Sequence, residues 1–104
     1  MFDFHCHIKT PDSIFCTSKP LYNEVPTFGE PTITSIGLLP QFFTQENKYR
    51  LFNTILNSDI QIGEVGIDKR FSSSMSIAEQ CIFLKETLNF AKENKKFTSI
   101  HCVR

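Results

Sequence analysis

The sequence predicts an α/β protein built from parallel strand–helix–strand units. Three observations carry that prediction. Helical patterns at about 45–57 and from Ser76 to Lys92 alternate with β-prone runs at 33–38, 60–67 and 97–102. The last two runs are separated by a full crossover helix, which parallel pairing requires. All five prolines (Pro11, Pro20, Pro26, Pro31 and Pro40) fall within the first forty residues, so that stretch admits only short strands between loops.

The first strand is read at 2–8, Phe-Asp-Phe-His-Cys-His-Ile. Its alternation places Phe2, Phe4, Cys6 and Ile8 on one face and Asp3, His5 and His7 on the other. A short strand at 13–16 and a longer one at 33–38 follow. The helix at 45–57 has Thr44 as its N-cap, and Leu51, Phe52, Ile55 and Leu56 form its apolar stripe. A strand at 60–67 leads to a serine-rich connector at 72–76. The second helix opens with a capping box, Ser76 and Glu79, and sets Ile77, Cys81, Leu84, Leu88 and Ala91 along one face. Lys92, Lys95 and Lys96 suit its C-terminal end, with Asn94 in the left-handed stop position.

Composition narrows the function classes. The chain has 104 residues, 40% of them hydrophobic, and eleven Lys+Arg balance eleven Asp+Glu. That is the make-up of one globular domain, with no basic field to attract nucleic acid by charge alone. A metal site could still hold a phosphate. No apolar run approaches the roughly 18 residues of a membrane span, and the start, Met1-Phe2-Asp3-Phe4-His5, lacks a leader's basic and apolar regions. Cys6, Cys16, Cys81 and Cys102 show neither paired zinc spacing nor a dense disulfide framework. Reduced thiols in a cytoplasmic protein, not bound to a membrane, are the expectation.

The residues with chemistry sit at strand ends. His5 and His7 are two apart on one strand, so both imidazoles reach the same side and one divalent ion, with Asp3 able to orient a ligand from behind. The same spacing also suits two polar side chains on an exposed strand face. Glu64 lies between Gly63 and Gly66 in an otherwise apolar strand, where a carboxylate requires a cation or strong donors. Asp68 reads as a turn or helix-cap residue. His101 closes the last strand, at the end where parallel sheets place function. One convergent site accounts for His5, His7, Glu64 and His101 together.

Four segments then resemble the TatD family of metal-dependent hydrolases, which are amidohydrolase-type barrels. They are Phe2-Asp3-Phe4-His5-Cys6-His7, Ser35-Ile36-Gly37-Leu38-Leu39-Pro40, Ile62-Gly63-Glu64-Val65-Gly66-Ile67-Asp68 and Ser99-Ile100-His101-Cys102-Val103. The glycine-rich segment is the most specific, and the likeness is strongest to a short-form branch in which Asp-Lys follows it. The resemblance implies a partial (β/α) TIM barrel, about the first five strands with two clear helices, not closed. It also implies two divalent ions per site (Mg, Mn or Zn), with His5 and His7 on the first, Glu64 bridging both as the catalytic carboxylate, and His101 on the second. DNA ends or small phosphoesters would be the substrates, cleaved at a phosphodiester.

The sequence departs from the family in two places. The family's third motif usually reads Gly-x-His-Pro, whereas Leu39 precedes Pro40 here, so a histidine that meets phosphate is missing. A closed barrel takes roughly 250 residues, and the family's later histidine and aspartate ligands have no counterpart. A truncated, split or degenerate hydrolase is therefore expected, with weakened catalysis and marginal stability. A complementing C-terminal chain or a homo-oligomer would be its partner, and a non-catalytic metal-binding or subunit-completing role is the alternative.

Overall fold

A computed structural model describes residues 3–17, 20, 29–56 and 58–103, with backbone only at 3–6 and 102–103. It is an α/β fold of short parallel strands with two helices, and the strand wall is not closed. The strands are β1 (Asp3–Cys6), β2 (Ser13–Cys16), β3 (Ile33–Ile36), β4 (Gln61–Ile62), β5 (Glu64–Asp68) and β6 (Ser99–Val103); the helices are α1 (Gln45–Ile55) and α2 (Ile77–Glu93). One sheet runs β1-β2-β3-β4 and a second pairs β5 with β6, every pairing being parallel.

The two sheets meet at Gly63. Its N–H donates to the Ile36 carbonyl on the β3 side, and its carbonyl accepts from Ser99 N–H on the β6 side. Residues 61–68 are thus one strand interrupted at a glycine, where the sequence predicts an unbroken run at 60–67. The reason is steric: a Cβ on Gly63 would sit 3.0 Å from the Ile36 carbonyl carbon and 3.2 Å from the Thr17 oxygen. Gly37 is tighter still, because a Cβ there would overlap the backbone of Glu64. Close passage lets Leu38 N–H donate to the Glu64 carbonyl at 2.8 Å.

The core lies between the strands and the helix layer. Ile36, Leu38, Leu51, Ile55, Ile62, Val65, Met75, Phe83 and Ala91 form one buried cluster. α1 begins at Thr44, whose hydroxyl accepts from Asn47 N–H at 3.0 Å, as its cap position predicts. Leu51 and Ile55 are fully buried and Phe52 partly so, but the helix stops before Leu56, which is 45% exposed. Phenylalanines join α2 to α1 and to the turn before it: Phe52 of α1 stacks on Phe90 at 4.6 Å between centroids, and Phe43, ahead of α1, meets Phe83 edge-on at 5.0 Å. Lys48 and Glu86 add an ion pair at 3.0 Å.

α2 carries the predicted capping box, Ser76 with Glu79. Its buried face, however, is Gln80, Phe83, Thr87 and Ala91; of the predicted stripe, Ala91 is buried and Leu84 packs partly against the core, while Ile77, Cys81 and Leu88 stay exposed. The helix is rolled so that two polar residues enter the core while Ile77 and Leu88 stay 36% and 39% exposed. The interior partners explain the roll: Gln80 satisfies backbone groups at Met75 and Asp68 that no apolar side chain could serve. The left-handed stop falls on Lys95 (φ 55°), one residue past Asn94, which remains at φ −104°.

At the N-terminus, the predicted strand to Ile8 ends at Cys6. His7 and Ile8 form a bend, and Ile8 is 43% exposed instead of packed. The predicted faces of residues 2–6 lie outside the described side chains. No helix among the described residues is long and apolar enough to cross a membrane.

Candidate functional site

Two pairs of polar side chains form along the strands: His7, just past the end of β1, with Glu64, the first residue of β5; and Asp68, the last residue of β5, with His101, which lies in the middle of β6 and not at its end. The first joins His7 to Glu64. His7 leaves the end of β1, and its Nδ1 lies 3.1 Å from the carbonyl oxygen of Cys16 at the end of β2. A carbonyl only accepts, so that contact places a proton on Nδ1 and turns Nε2 outward. Nε2 faces Glu64 Oε1 at 4.0 Å. Glu64 is the first residue of β5, held there by the glycine passage at Gly37 and Gly63. Its side chain is 15% exposed and that of His7 56%, so the pair opens to solvent from the imidazole side.

A separation of 4.0 Å exceeds a hydrogen bond. It lies within 1 Å of the about 3.0–3.4 Å that a nitrogen and an oxygen subtend when bound to one ion at about 2.0–2.2 Å. A histidine anchored through one ring nitrogen, with the other aimed at a carboxylate, is also the arrangement that orients metal ligands. The donor set at this point is one imidazole nitrogen and one carboxylate, which fits a divalent ion of the Mn or Zn type. Among the described residues, no group of three His, Cys, Asp or Glu side chains is close enough to hold a metal. The His5 side chain, predicted as a neighbouring ligand, lies outside the described ones; its backbone is in β1.

The second pair is Asp68 with His101. Glu64, Gly66 and Asp68 alternate along β5 and register against Ser99, His101 and Val103 on β6, so His101 stands beside Gly66 on the face that also carries Glu64 and Asp68. Its Nε2 turns to Asp68 Oδ2 at 3.4 Å. Asp68 is fully buried and caps the 3-10 turn Lys69–Phe71, which is the turn role its position predicts. Oδ1 accepts from Arg70 N–H at 3.0 Å and Nε at 2.9 Å, and Oδ2 from Nη2 at 2.6 Å. The guanidinium hydrogen bonds of Arg70 hold the Asp68 carboxyl well below the usual carboxylate range, against the opposing effect of burial; the Arg70 N–H and His101 lower it further. The same contact raises Arg70 above its ordinary value.

The structure therefore brings together His7 with Glu64, and His101 with Asp68. It puts Leu39 inside the core at 5% exposure. Arg70 and Gln80 were not legible as site residues. Arg70 carries a weak signal, an arginine two past an aspartate that ends a strand; Gln80 carries none, being a polar residue inside an amphipathic helix. No family model, curated protein or solved structure matches the chain.

Proposed function

We propose that this chain carries part of the site of a metal-dependent hydrolase of the TatD type, acting on phosphodiesters such as DNA ends. The observation that carries this reading is the His7–Glu64 pair, 4.0 Å apart, with the imidazole anchored on the Cys16 carbonyl. His7 and Glu64 would be the first ligands of a divalent ion. Such an ion supplies an acidified water and a Lewis acid for the phosphoryl oxygen. Glu64, whose side chain is 15% exposed, would hold the ion through its carboxylate, and His7 would present Nε2 to it because Nδ1–H donates to the Cys16 carbonyl.

The strand order supports the same lineage. β1, β2, β3, the β4–β5 segment and β6 follow one another in sequence without reversal. A doubly wound sheet reverses its order at a switch point, whereas a (β/α) barrel wall does not. His7, just past β1, and Asp68, the last residue of β5, lie at the C-terminal side of that wall, where barrels place their chemistry.

A second reading is favoured by Leu39, whose burial replaces a phosphate-facing group with core: a non-catalytic metal-binding or subunit-completing module. Calorimetric titration with Mn and Zn, beside a phosphodiesterase assay, separates the two. Hydrolysis that tracks metal occupancy and disappears in His7→Ala and Glu64→Gln supports the enzyme. Saturable binding without turnover supports the module. Absence of binding, or binding indifferent to both substitutions, overturns the metal site.

A further inference from the structure

His101 registers against Gly66, and the neighbours of that glycine on the same face of β5 are two carboxylates, Glu64 and Asp68. The imidazole turns to only one of them, with Nε2 3.4 Å from Asp68 Oδ2.

Asp68 is an acceptor that cannot turn away. Its side chain is fully buried; Oδ1 accepts from Arg70 N–H and Nε, and Oδ2 from Nη2. Its backbone is tied as well, the N–H donating to Gln80 Oε1 and the carbonyl accepting from Gln80 Nε2. Carboxylate oxygens that already receive these hydrogen bonds have only lone pairs to offer. The ring nitrogen beside them must carry the proton, and in a neutral imidazole Nδ1 then holds the lone pair. His7 is set the opposite way, because the Cys16 carbonyl takes its Nδ1 and leaves Nε2.

We infer that Asp68, clamped by Arg70, is a positioning residue: it fixes His101 as the Nε2–H tautomer and so makes Nδ1 the atom with which His101 binds a divalent ion on the Glu64 face of β5. The inference rests on the metal reading above and adds which atom of His101 serves and what holds it there. A carboxylate that receives the far N–H of a ligand histidine fixes the orientation of the ring and raises its basicity toward the ion.

The test is imidazole nitrogen NMR on the isotope-labelled full chain, titrated with Zn alone at about pH 8, where an unperturbed histidine is neutral. In the wild-type chain His101 is expected to be a single Nε2–H tautomer, and Zn is expected to shift its Nδ1 while Nε2 keeps the proton. In Asp68→Asn the two Arg70 donors at the Oδ1 position draw the amide oxygen, which turns the amide NH2 toward His101. The tautomer is then expected to reverse to Nδ1–H and Zn affinity to fall about 10–100-fold, with His7 Nε2 still shifted at saturation. Circular dichroism checks that the variant is folded, and the nitrogen that shifts in the wild-type chain decides the question even if it is not. A Zn shift on His101 Nε2, a shift on His7 that leaves His101 unmoved, or an Asp68→Asn chain that keeps the Nε2–H tautomer overturns this inference and leaves the His7–Glu64 reading standing. No Zn shift at either histidine overturns both.

Discussion

The buried Asp68 carboxylate holds His101 Nε2 at 3.4 Å with one oxygen while both its oxygens bind Arg70. The ionised form is therefore the one the fold stabilises. A carboxyl whose folded value is lowered adds stability above its unfolded value, about 3.9, and that contribution drains away as pH falls below it toward the folded value. Asp68→Asn is expected to lower the urea midpoint clearly at pH 7 and progressively less below about pH 4. A difference between the two proteins that stays constant from pH 7 to pH 3 would contradict the assignment.

Gly66 shows a different constraint at the same strand pair. Its φ is +150°, and a Cβ built there would run into the carbonyl oxygen of His101. Backbone strain of this kind costs about 1–3 kcal/mol for a non-glycine residue, and the overlap with a paired backbone adds to it. Gly66→Ala is expected to destabilise more than Gly63→Ala, whose Cβ meets its nearest atom at 3.0 Å. Urea melts of the two variants give the order directly.

The capping residues, Thr44 and Ser76 with Glu79, were legible because their chemistry is local: a hydroxyl and a turn of backbone N–H groups. The strand positions were legible for a similar reason. What sequence could not give was the roll of α2. Periodicity identifies the most apolar stripe, Ile77 to Leu88, but the core is chosen by what faces it. Gln80 is drawn inward by backbone groups of Asp68 and Met75, and Phe83 by the rings of Phe43, just before α1, and Phe52 within it. The site divided in the same way. His7 and Glu64 were read from residue type and meet across β1 and β5; the Asp68–Arg70 link depends on a 3-10 turn, and a spacing pattern does not encode it.

The metal site proposed at His7 and Glu64 would have a consequence for stability. An ion that binds only the folded chain raises its unfolding free energy by about 2.7 kcal/mol at a hundred times its dissociation constant. The urea midpoint of the wild-type chain is expected to rise accordingly on saturation with Zn or Mn. Glu64→Gln and His7→Ala are expected to show no rise. A midpoint that shifts equally in all three proteins would place the ion elsewhere.

The buried amide of Gln80 makes the last prediction, and it runs against hydropathy. Gln80 is 1% exposed; its Oε1 accepts from Asp68 N–H at 2.7 Å, and its Nε2 donates to the Asp68 and Met75 carbonyls at 3.1 and 2.8 Å. Gln80→Leu keeps the volume and raises the apolar content of a buried position. It also strips a partner from each of those backbone groups, and one orphaned buried group costs about 1–3 kcal/mol. The variant is therefore expected to lose about 2 kcal/mol or more, measured by equilibrium urea unfolding. Ile82→Ser, at 61% exposure on the same helix, removes far more hydrophobicity, yet is expected to change stability by under about 0.5 kcal/mol. If the leucine variant proved the more stable of the two, burial of apolar area rather than satisfaction of the Asp68 backbone would be what fixes the roll of α2.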